Sequence, residues 1–185
     1  MLNNVVEISR LFMELSVKAG DAVIDATCGN GQDTLALSRL VGDCGRVYAF
    51  DRQLKAIENT KALLLANGRE NVRLFAASHE KMEEYVKEPV ALVVFNLGYL
   101  PGGDKALVTK PETTLPAVQS AARLLRGGGL LLICAYLGHP GGQEEFDCLQ
   151  NALESWSGKA YNVLEMKHRN RRADAPRVLV VEKLR

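Results

Sequence analysis

The stretch VIDATCGNGQDTLAL, residues 23–37, joins a short apolar run to an amphipathic segment through a turn with two glycines. The sequence predicts a strand that ends at Asp25, a sharp turn at Gly29 and Gly31, and a helix that begins near Gln32. A helix that starts behind such a turn directs free backbone N–H groups toward a ligand in the turn. The glycines alone are equally compatible with a tight connection that binds nothing.

The chain on either side of this stretch alternates apolar runs with helical segments. A leading helix is predicted from the apolar spacing of residues 5–15. Strands are predicted at 22–26, 46–50, 71–75, 90–95 and 130–136, and helices around 32–41, 53–67, 79–87, 112–125 and 142–155. Strands that are apolar on both faces and alternate with helices indicate a parallel sheet covered on both sides.

The end of the chain has a different pattern. Residues 161–168 and 177–184 are two strand-like runs joined by a short polar loop, and such a pair is expected to form an antiparallel hairpin. The predicted fold is therefore α/β, with a seven-stranded, mostly parallel sheet, a C-terminal antiparallel hairpin and helices on both faces. A chain of 185 residues can bury one full core, so a single domain over residues 1–185 is expected.

The composition limits which kinds of partner the chain is expected to bind. With 23 basic and 22 acidic residues the formal charge is +1, so a nucleic acid would have to bind a local basic patch. No run reaches the roughly 18 apolar residues of a membrane span, and the N-terminus lacks a secretion-signal pattern, which predicts a cytoplasmic protein without membrane contact. The four cysteines show neither paired nor metal-ligand spacing, so we expect no metal site and no disulfide.

Acidic residues near the glycine turn favour one class of ligand. Asp51 ends the second predicted strand 20 residues after Gly31, where a carboxylate can accept both hydroxyls of an adenosine ribose. A dinucleotide would need a third glycine where the chain has Thr34, and Asp25 is expected to face the place of its pyrophosphate. The positive amino and sulfonium groups of S-adenosyl-L-methionine fit better. Asp33 either belongs to this site or is an ordinary charge at a helix N-terminus.

Several motifs carry a resemblance to a known family. DATCGNGQDT (25–34), AFDRQ (49–53) and the strand order resemble class I S-adenosylmethionine-dependent methyltransferases, which implies a Rossmann-like fold. With NLGYLPGGDK (96–105), TLPAV (114–118) and LLRGGGLLLICAYLGHPGGQEE (124–145), nearly the whole chain is similar to bacterial MnmM-type tRNA methyltransferases, long described as rRNA methylases. The resemblance implies methylation of the aminomethyl group of 5-aminomethyl-2-thiouridine at the wobble position, in the anticodon stem-loop of tRNA.

The expected cofactor is S-adenosyl-L-methionine, bound at the ends of the first four predicted parallel strands. Two of its contacts, Ser78 and His79, are included because relatives recognise adenine after the third strand. The full set of expected cofactor contacts is Asp25, Thr27, Gly29, Asn30, Gly31, Gln32, Asp33, Asp51, Gln53, Ser78, His79 and Asn96.

Asn96 and Tyr99 are the expected catalytic residues at the end of the fourth strand, beside the cofactor. Relatives that methylate amino groups carry (N/D)PP(Y/F) here, in which the amide oxygen accepts hydrogen bonds from the target nitrogen and the ring stacks on the base. This chain has Asn96-Leu97-Gly98-Tyr99, with neither proline. An acceptor nitrogen on a flexible aminomethyl arm would tolerate that change. Tyr99 is accordingly also expected to bind substrate.

An alkylammonium must lose a proton before its nitrogen can attack a methyl group. The candidate proton acceptors are His139, His79 and Asp104, and the sequence leaves the choice among them open. His139 is counted as catalytic because it lies in a glycine-rich loop at the expected edge of the site, although a loop histidine bonded to backbone is an equal alternative. Asp104 is counted among the substrate-binding residues.

The basic run KHRNRR, residues 167–172, forms the loop of the terminal hairpin. A sixth strand parallel to the first five would end at the cofactor edge, so its loop would overhang the substrate side. Arg169, Arg171 and Arg172 are predicted phosphate contacts, with Asn170 nearer the site; the alternative is a charged surface turn. The expected partner is tRNA, and the chain could also form a homodimer.

Five other functions compete with this prediction. The same fold serves ribosomal RNA methylation, small-molecule methylation and cofactor-binding proteins that have lost activity. A small-molecule enzyme usually carries an added lid, for which this chain is short. A dinucleotide-dependent oxidoreductase is disfavoured by Asp25 and Thr34, and a non-enzymatic RNA-binding protein would bind RNA without transferring a methyl group.

Overall fold

The computed structural model describes residues 4–100, 102 and 108–185. Asp104 therefore lies outside the described residues. The strands are β1 (Ala22–Asp25), β2 (Arg46–Asp51), β3 (Val72–Ala76), β4 (Val90–Asn96), β5 (Leu125–Ala135), β6 (Tyr161–Met166) and β7 (Arg177–Lys183). The helices are α1 (Val5–Ser16), α2 (Gln32–Val41), α3 (Leu54–Ala66), α4 (Met82–Tyr85), α5 (Pro111–Leu124) and α6 (Gly142–Glu154), with a 3₁₀ turn at His79–Lys81.

The strands form one sheet in the order β3-β2-β1-β4-β5-β7-β6. The first five strands pair in parallel, whereas β7 runs antiparallel to both β5 and β6. Strand β6 therefore points the same way as the first five, and its loop to β7 lies at their carboxyl edge. The predicted seven-stranded, mostly parallel sheet with a terminal antiparallel hairpin is confirmed.

Both faces of the sheet are buried, which explains why its strands are apolar throughout. Alternate residues of β1 illustrate the division: Ile24 packs in a cluster with α5 and α6, and Val23 packs in another with α1 and α2. Phe50 and Phe95, both fully buried, belong to the first cluster. Residues that end these strands are consequently fixed by a packed core on either side.

Two element boundaries differ from the predicted ones. The helix predicted at 79–87 is a 3₁₀ turn at His79–Lys81 followed by the single turn α4, which ends at Tyr85. Strand β5 starts at Leu125 instead of residue 130, with a register shift opposite Val90. Gly129 permits this early pairing, since a Cβ there would lie 3.2 Å from the Ala91 carbonyl oxygen of β4.

In the part of the chain that the structure describes, no helix is long and apolar enough to cross a membrane.

Candidate functional site

A cleft of about 710 Å³ opens where the parallel strands end. Strand β1 has β2 on one side and β4 on the other, so the chain order reverses at this point of the sheet. A crevice at such a reversal is the usual ligand site of open α/β sheets, and this volume suits a small molecule. The cleft is walled mainly by the segments that follow β1, β2, β4 and β5.

Most of the predicted site residues line this cleft. They are Thr27, Gly29, Asn30, Gln32, Asp33, Asp51, Gln53, His79, Asn96, Tyr99 and His139. Asp25, Gly31 and Ser78 do not line it, and the four predicted residues of the hairpin loop lie around a second, shallower surface depression or beyond it.

Asp25 corrects an expectation about the turn. Its side chain is fully buried beneath the cleft and does not face the ligand space. Its carboxylate accepts hydrogen bonds from the Thr34 hydroxyl at 2.6 Å and the Thr27 N–H at 3.2 Å. Burial, together with the neighbouring Asp33 charge, raises the pKa of Asp25 to about 7. Asp25 therefore holds the turn in shape from below, and Thr34 occupies the third-glycine position as its hydrogen-bond donor.

The two glycines of the turn have different roles. Gly29 lines the cleft and adopts a left-handed conformation with φ 52°. Gly31 also has positive φ, but a Cβ there would lie 3.0 Å from the Thr60 Cα, so this glycine lets the turn pack against α3. Packing explains why glycine occupies position 31, and its contact with the ligand stays a prediction.

Asp51 is held by the backbone at the mouth of the cleft. One carboxylate oxygen accepts from the Gly29 N–H at 3.1 Å and the other from the Gln53 N–H at 2.9 Å. Burial raises the pKa of Asp51, whereas these backbone bonds lower it. Each oxygen retains a lone pair, so the carboxylate can accept two further hydrogen bonds. This geometry fits the paired hydroxyls of a ribose.

Asn96 has a fixed side-chain orientation. Its Nδ2 donates to Asp33 Oδ2 at 2.8 Å, and Arg10 donates to the other oxygen of Asp33 at 3.2 Å. Because a carboxylate only accepts, the amide nitrogen must face Asp33 and the amide oxygen must face away. Asn96 Oδ1 is buried and has no hydrogen-bond partner among the described residues. Of the two roles considered for Asp33, this contact favours the one in the site.

Arg10 is a residue of the cleft that was not predicted from the sequence. It lies on the leading helix α1, lines the cleft and forms a 3.1 Å ion pair with Asp33. The two residues are 23 positions apart, and no local pattern relates an arginine in an amphipathic helix to a carboxylate on another.

His139 also presents an acceptor without a partner. Its Nδ1 lies 3.0 Å from the Pro140 carbonyl oxygen, which only accepts, so we assign the ring proton to Nδ1. Nε2 then carries a lone pair, and it is buried with no hydrogen-bond partner in the described part of the chain. The Tyr99 ring meets the imidazole edge-on, with centroids 6.3 Å apart. A Cβ on Gly142 would lie 3.0 Å from Nε2, so glycine there makes room for the ring.

His79 is a poor proton acceptor. It lines the cleft, its side chain is only 7% exposed, and its ring meets Phe95 edge-on. Burial lowers the pKa of His79 to about 4, so the side chain is neutral at neutral pH and holds a proton poorly. The neighbouring Ser78 has a buried hydroxyl with no partner among the residues described, and it does not line the cleft. Of the two residues predicted to recognise adenine, His79 therefore lines the cleft and Ser78 does not.

The hairpin loop borders the mouth of the cleft. Arg169, Asn170, Arg171 and Arg172 are all exposed. Arg172 forms an ion pair with Asp174 at 3.2 Å, and Asp174 lines the cleft together with Pro176. The loop therefore lies where the strand pattern predicts it, whereas its contact with phosphate stays a prediction. Within the described ranges, no three histidine, cysteine or acidic side chains are grouped to hold a metal.

The sheet order, the cleft at β1 and the polar residues that end β2 and β4 define the class of protein: a Rossmann-like class I methyltransferase fold. Residues 47–182 match the model of the family described as "Putative rRNA methylase", and the chain belongs to this family. The family resemblance drawn from the sequence is confirmed.

Individual relatives agree with this assignment. The chain is 46% identical over 155 residues to an Arabidopsis thaliana protein named "tRNA (mnm(5)s(2)U34)-methyltransferase, chloroplastic", covering 78% of this chain and 57% of the plant protein. It thus spans little more than half of that relative's length. A solved structure described as a putative rRNA-methylase from Clostridium thermocellum is 39% identical with a TM-score of 0.97, and each chain is covered in full. A putative methyltransferase from Streptococcus mutans in complex with SAH is 34% identical with a TM-score of 0.91, again over both full chains.

Proposed function

We propose that the chain is an S-adenosyl-L-methionine-dependent methyltransferase that N-methylates the aminomethyl group of 5-aminomethyl-2-thiouridine at the wobble position of tRNA. The observation that carries the proposal is a pair of buried acceptors, Asn96 Oδ1 and His139 Nε2. Both residues line the same cleft: Asn96 ends β4, and His139 follows the adjacent strand β5.

A buried acceptor without a donor costs about 1–3 kcal/mol, so a pair of them favours a ligand that supplies two donors. A hydroxyl has a single proton to donate. A primary amine or ammonium has at least two N–H groups and can satisfy both acceptors from one nitrogen. The pair therefore favours an amine as the methyl acceptor.

The wall of the cleft also suits the cofactor. Arg10 pairs with Asp33, but Asp51 places a carboxylate at the mouth of the cleft, where it would repel the pyrophosphate of a dinucleotide. Asp51 can accept the ribose hydroxyls, and the N-terminus of α2 can receive a carboxylate. When bound, S-adenosyl-L-methionine would supply a methyl group on a positive sulfur. The Streptococcus mutans relative, solved with SAH, supports this choice.

The residues of the chain would prepare the nitrogen for transfer. His139 Nε2 accepts one proton from the ammonium and so exposes a nitrogen lone pair. Asn96 Oδ1 accepts a remaining N–H and fixes the direction of that lone pair, because Asp33 holds the amide from behind. Tyr99, which is 43% exposed beside His139, offers a ring on which a base can stack. The neutral His79 is left to the cofactor.

The name of the plant relative supports tRNA as the substrate, and the exposed arginines at the mouth of the cleft suit any RNA. The description of the family favours ribosomal RNA instead. Mass spectrometry of nucleosides from cells with and without the gene separates the two. We expect 5-methylaminomethyl-2-thiouridine to disappear from tRNA when the gene is removed; loss of a methylated nucleoside from ribosomal RNA alone would contradict the proposal.

Four further expectations remain predictions: binding at the anticodon stem-loop, a cytoplasmic location, a single domain and a homodimer.

Asp51→Ala is expected to weaken S-adenosyl-L-methionine binding about tenfold or more, because two hydrogen bonds to a carboxylate are worth about 1.5–3 kcal/mol. Isothermal calorimetry measures the affinity. Asp43→Ala is the matched control, since that carboxylate is 91% exposed and lies before β2, at the opposite edge of the sheet. Equal affinities in the two variants would remove Asp51 from the cofactor site.

Replacing Arg169, Arg171 and Arg172 together by alanine is expected to weaken tRNA binding and to flatten its salt dependence. For every phosphate that the loop no longer neutralises, the slope of log affinity against log salt should fall by roughly 0.7–0.9. The control replaces Lys18, Lys87 and Lys159, which are exposed and precede β1, β4 and β6 at the far edge. The measurement is tRNA affinity across a series of salt concentrations. An unchanged slope would show that the loop is a surface turn without phosphate contacts.

A further inference from the structure

Glu145 is a buried acid that the proposed chemistry does not use. It lies in the first turn of α6, with its side chain only 2% exposed. Its two carboxylate oxygens accept from the hydroxyls of Thr109 at 2.7 Å and Thr114 at 2.6 Å. Burying a carboxylate is costly even with such partners, and an apolar side chain of similar volume would fill the space at lower cost.

Thr109 connects this carboxylate to the loop that follows Asn96. The Gly98 N–H donates to the Thr109 hydroxyl at 2.9 Å, and the Thr109 N–H donates to the Gly98 carbonyl at 2.9 Å. A hydroxyl has one proton, so Thr109 can accept from Gly98 and still donate to Glu145. Tyr99 and Val108 form an antiparallel bridge beside this pair. The Gly98–Thr109 pair thus links the residues that follow β4 to those that precede α5.

Glu145 is equally tied to the loop of His139. Its own N–H donates to the Gly141 carbonyl at 2.9 Å, and the Gly142 N–H donates to the His139 carbonyl at 3.0 Å. Burial raises the pKa of Glu145, and the bonds from the two threonines offset part of that rise. Hydrogen bonds therefore tie Glu145 both to the segment that follows Asn96 and to the loop that carries His139.

We propose that Glu145 is a positioning residue, which holds the Gly98–Thr109 pair through the Thr109 hydroxyl and so sets where Tyr99 and the Asn96 loop stand relative to His139. This inference rests on the proposed function, because positioning matters only if Asn96 and His139 receive a substrate nitrogen. An ionised carboxylate suits the role, since it accepts from both threonines without competing as a donor.

Thr109→Val tests the link with a side chain of nearly the same shape. We expect single-turnover methylation to fall about tenfold, the effect of removing one positioning bond, with cofactor affinity within about twofold. Thr109→Ser retains the hydroxyl and should recover most of the rate. Glu145→Gln removes one acceptor oxygen and should lower the rate in the same direction.

Amide hydrogen exchange at Gly98, followed by NMR, supplies a readout that does not depend on catalysis. Exchange should accelerate in Thr109→Val and return toward the wild-type rate in Thr109→Ser. Thr114→Val removes the other bond to Glu145 without touching Gly98 and should leave Gly98 exchange unchanged.

Unaltered exchange and rate in Thr109→Val would overturn the inference, as would equal acceleration at Gly98 in both valine variants. Wild-type protein that protects Gly98 but methylates no aminomethyl nucleoside would refute the proposed function and leave the link intact.

Discussion

Asn96→Ala is expected to lower single-turnover methylation by about 100-fold or more, the effect typical of removing a positioning group. The effect should fall on the rate because the amide oxygen is proposed to receive the substrate nitrogen, and such a bond is realised most fully as that nitrogen attacks. S-adenosyl-L-methionine affinity should stay within a few fold. Rapid-quench kinetics with saturating tRNA and calorimetry with the cofactor measure the two quantities separately.

Asn162→Ala is the matched control for this variant. Asn162 lies on the exposed strand β6 and donates its amide to Glu182, remote from the cleft lining. Its replacement should change neither rate nor affinity. If Asn96 only ended its strand, Asn96→Ala would lower thermal stability and weaken both ligands alike. A folded Asn96→Ala protein with the unmutated rate would refute the role of the amide.

His139→Gln is expected to lower methylation about 100-fold at neutral pH and to change its pH dependence. An alkylammonium resembles lysine, whose pKa is about 10.4, so about one substrate molecule in a few thousand has a free lone pair at pH 7. Without the acceptor, the reaction depends on that fraction and its rate should rise about tenfold per pH unit. The intact enzyme, which removes the proton itself, should show a shallower rise.

The pH–rate profiles of the two proteins, measured under single-turnover conditions, test this difference. His168→Gln is the control, because His168 lies in the loop between β6 and β7 and does not line the cleft. Parallel profiles for wild type and His139→Gln would assign the proton to another group, and Asp104 would then be the first candidate to replace.

Much of the fold could be predicted from local patterns. The β1–turn–α2 unit is evident in residues 23–37 because a buried strand, positive-φ glycines and an amphipathic helix each have a local signature. The terminal hairpin also has a local signature, because two strand-like runs are joined by a short polar loop. The start of β5 is not, since it depends on Gly129 passing close to the neighbouring strand.

The candidate site was predictable where it follows strand ends and unpredictable where it depends on long-range contacts. The position of Asn96 follows from strand order, but the direction of its amide depends on Asp33, 63 residues away. For Asp25 the position at a strand end was predicted correctly, but its orientation was not. The sequence does not reveal that the carboxylate is buried and accepts a hydrogen bond from the Thr34 hydroxyl. In the sequence, Glu145 resembles any acidic residue in the first turn of a helix. Only its hydrogen bonds to two threonines, seen in the structure, distinguish it from such a surface charge.

The central claim is that this protein places a methyl group on the aminomethyl nitrogen of a tRNA wobble nucleoside. The direct measurement incubates the purified protein with S-adenosyl-L-methionine deuterated in its methyl group and tRNA that carries 5-aminomethyl-2-thiouridine, and then analyses the nucleosides by mass spectrometry. Transcript tRNA without the modification and ribosomal RNA serve as parallel substrates. We expect one deuterated methyl group on 5-aminomethyl-2-thiouridine and none on the other RNAs. Label confined to ribosomal RNA, or no labelled nucleoside from a protein that binds the cofactor, would contradict it.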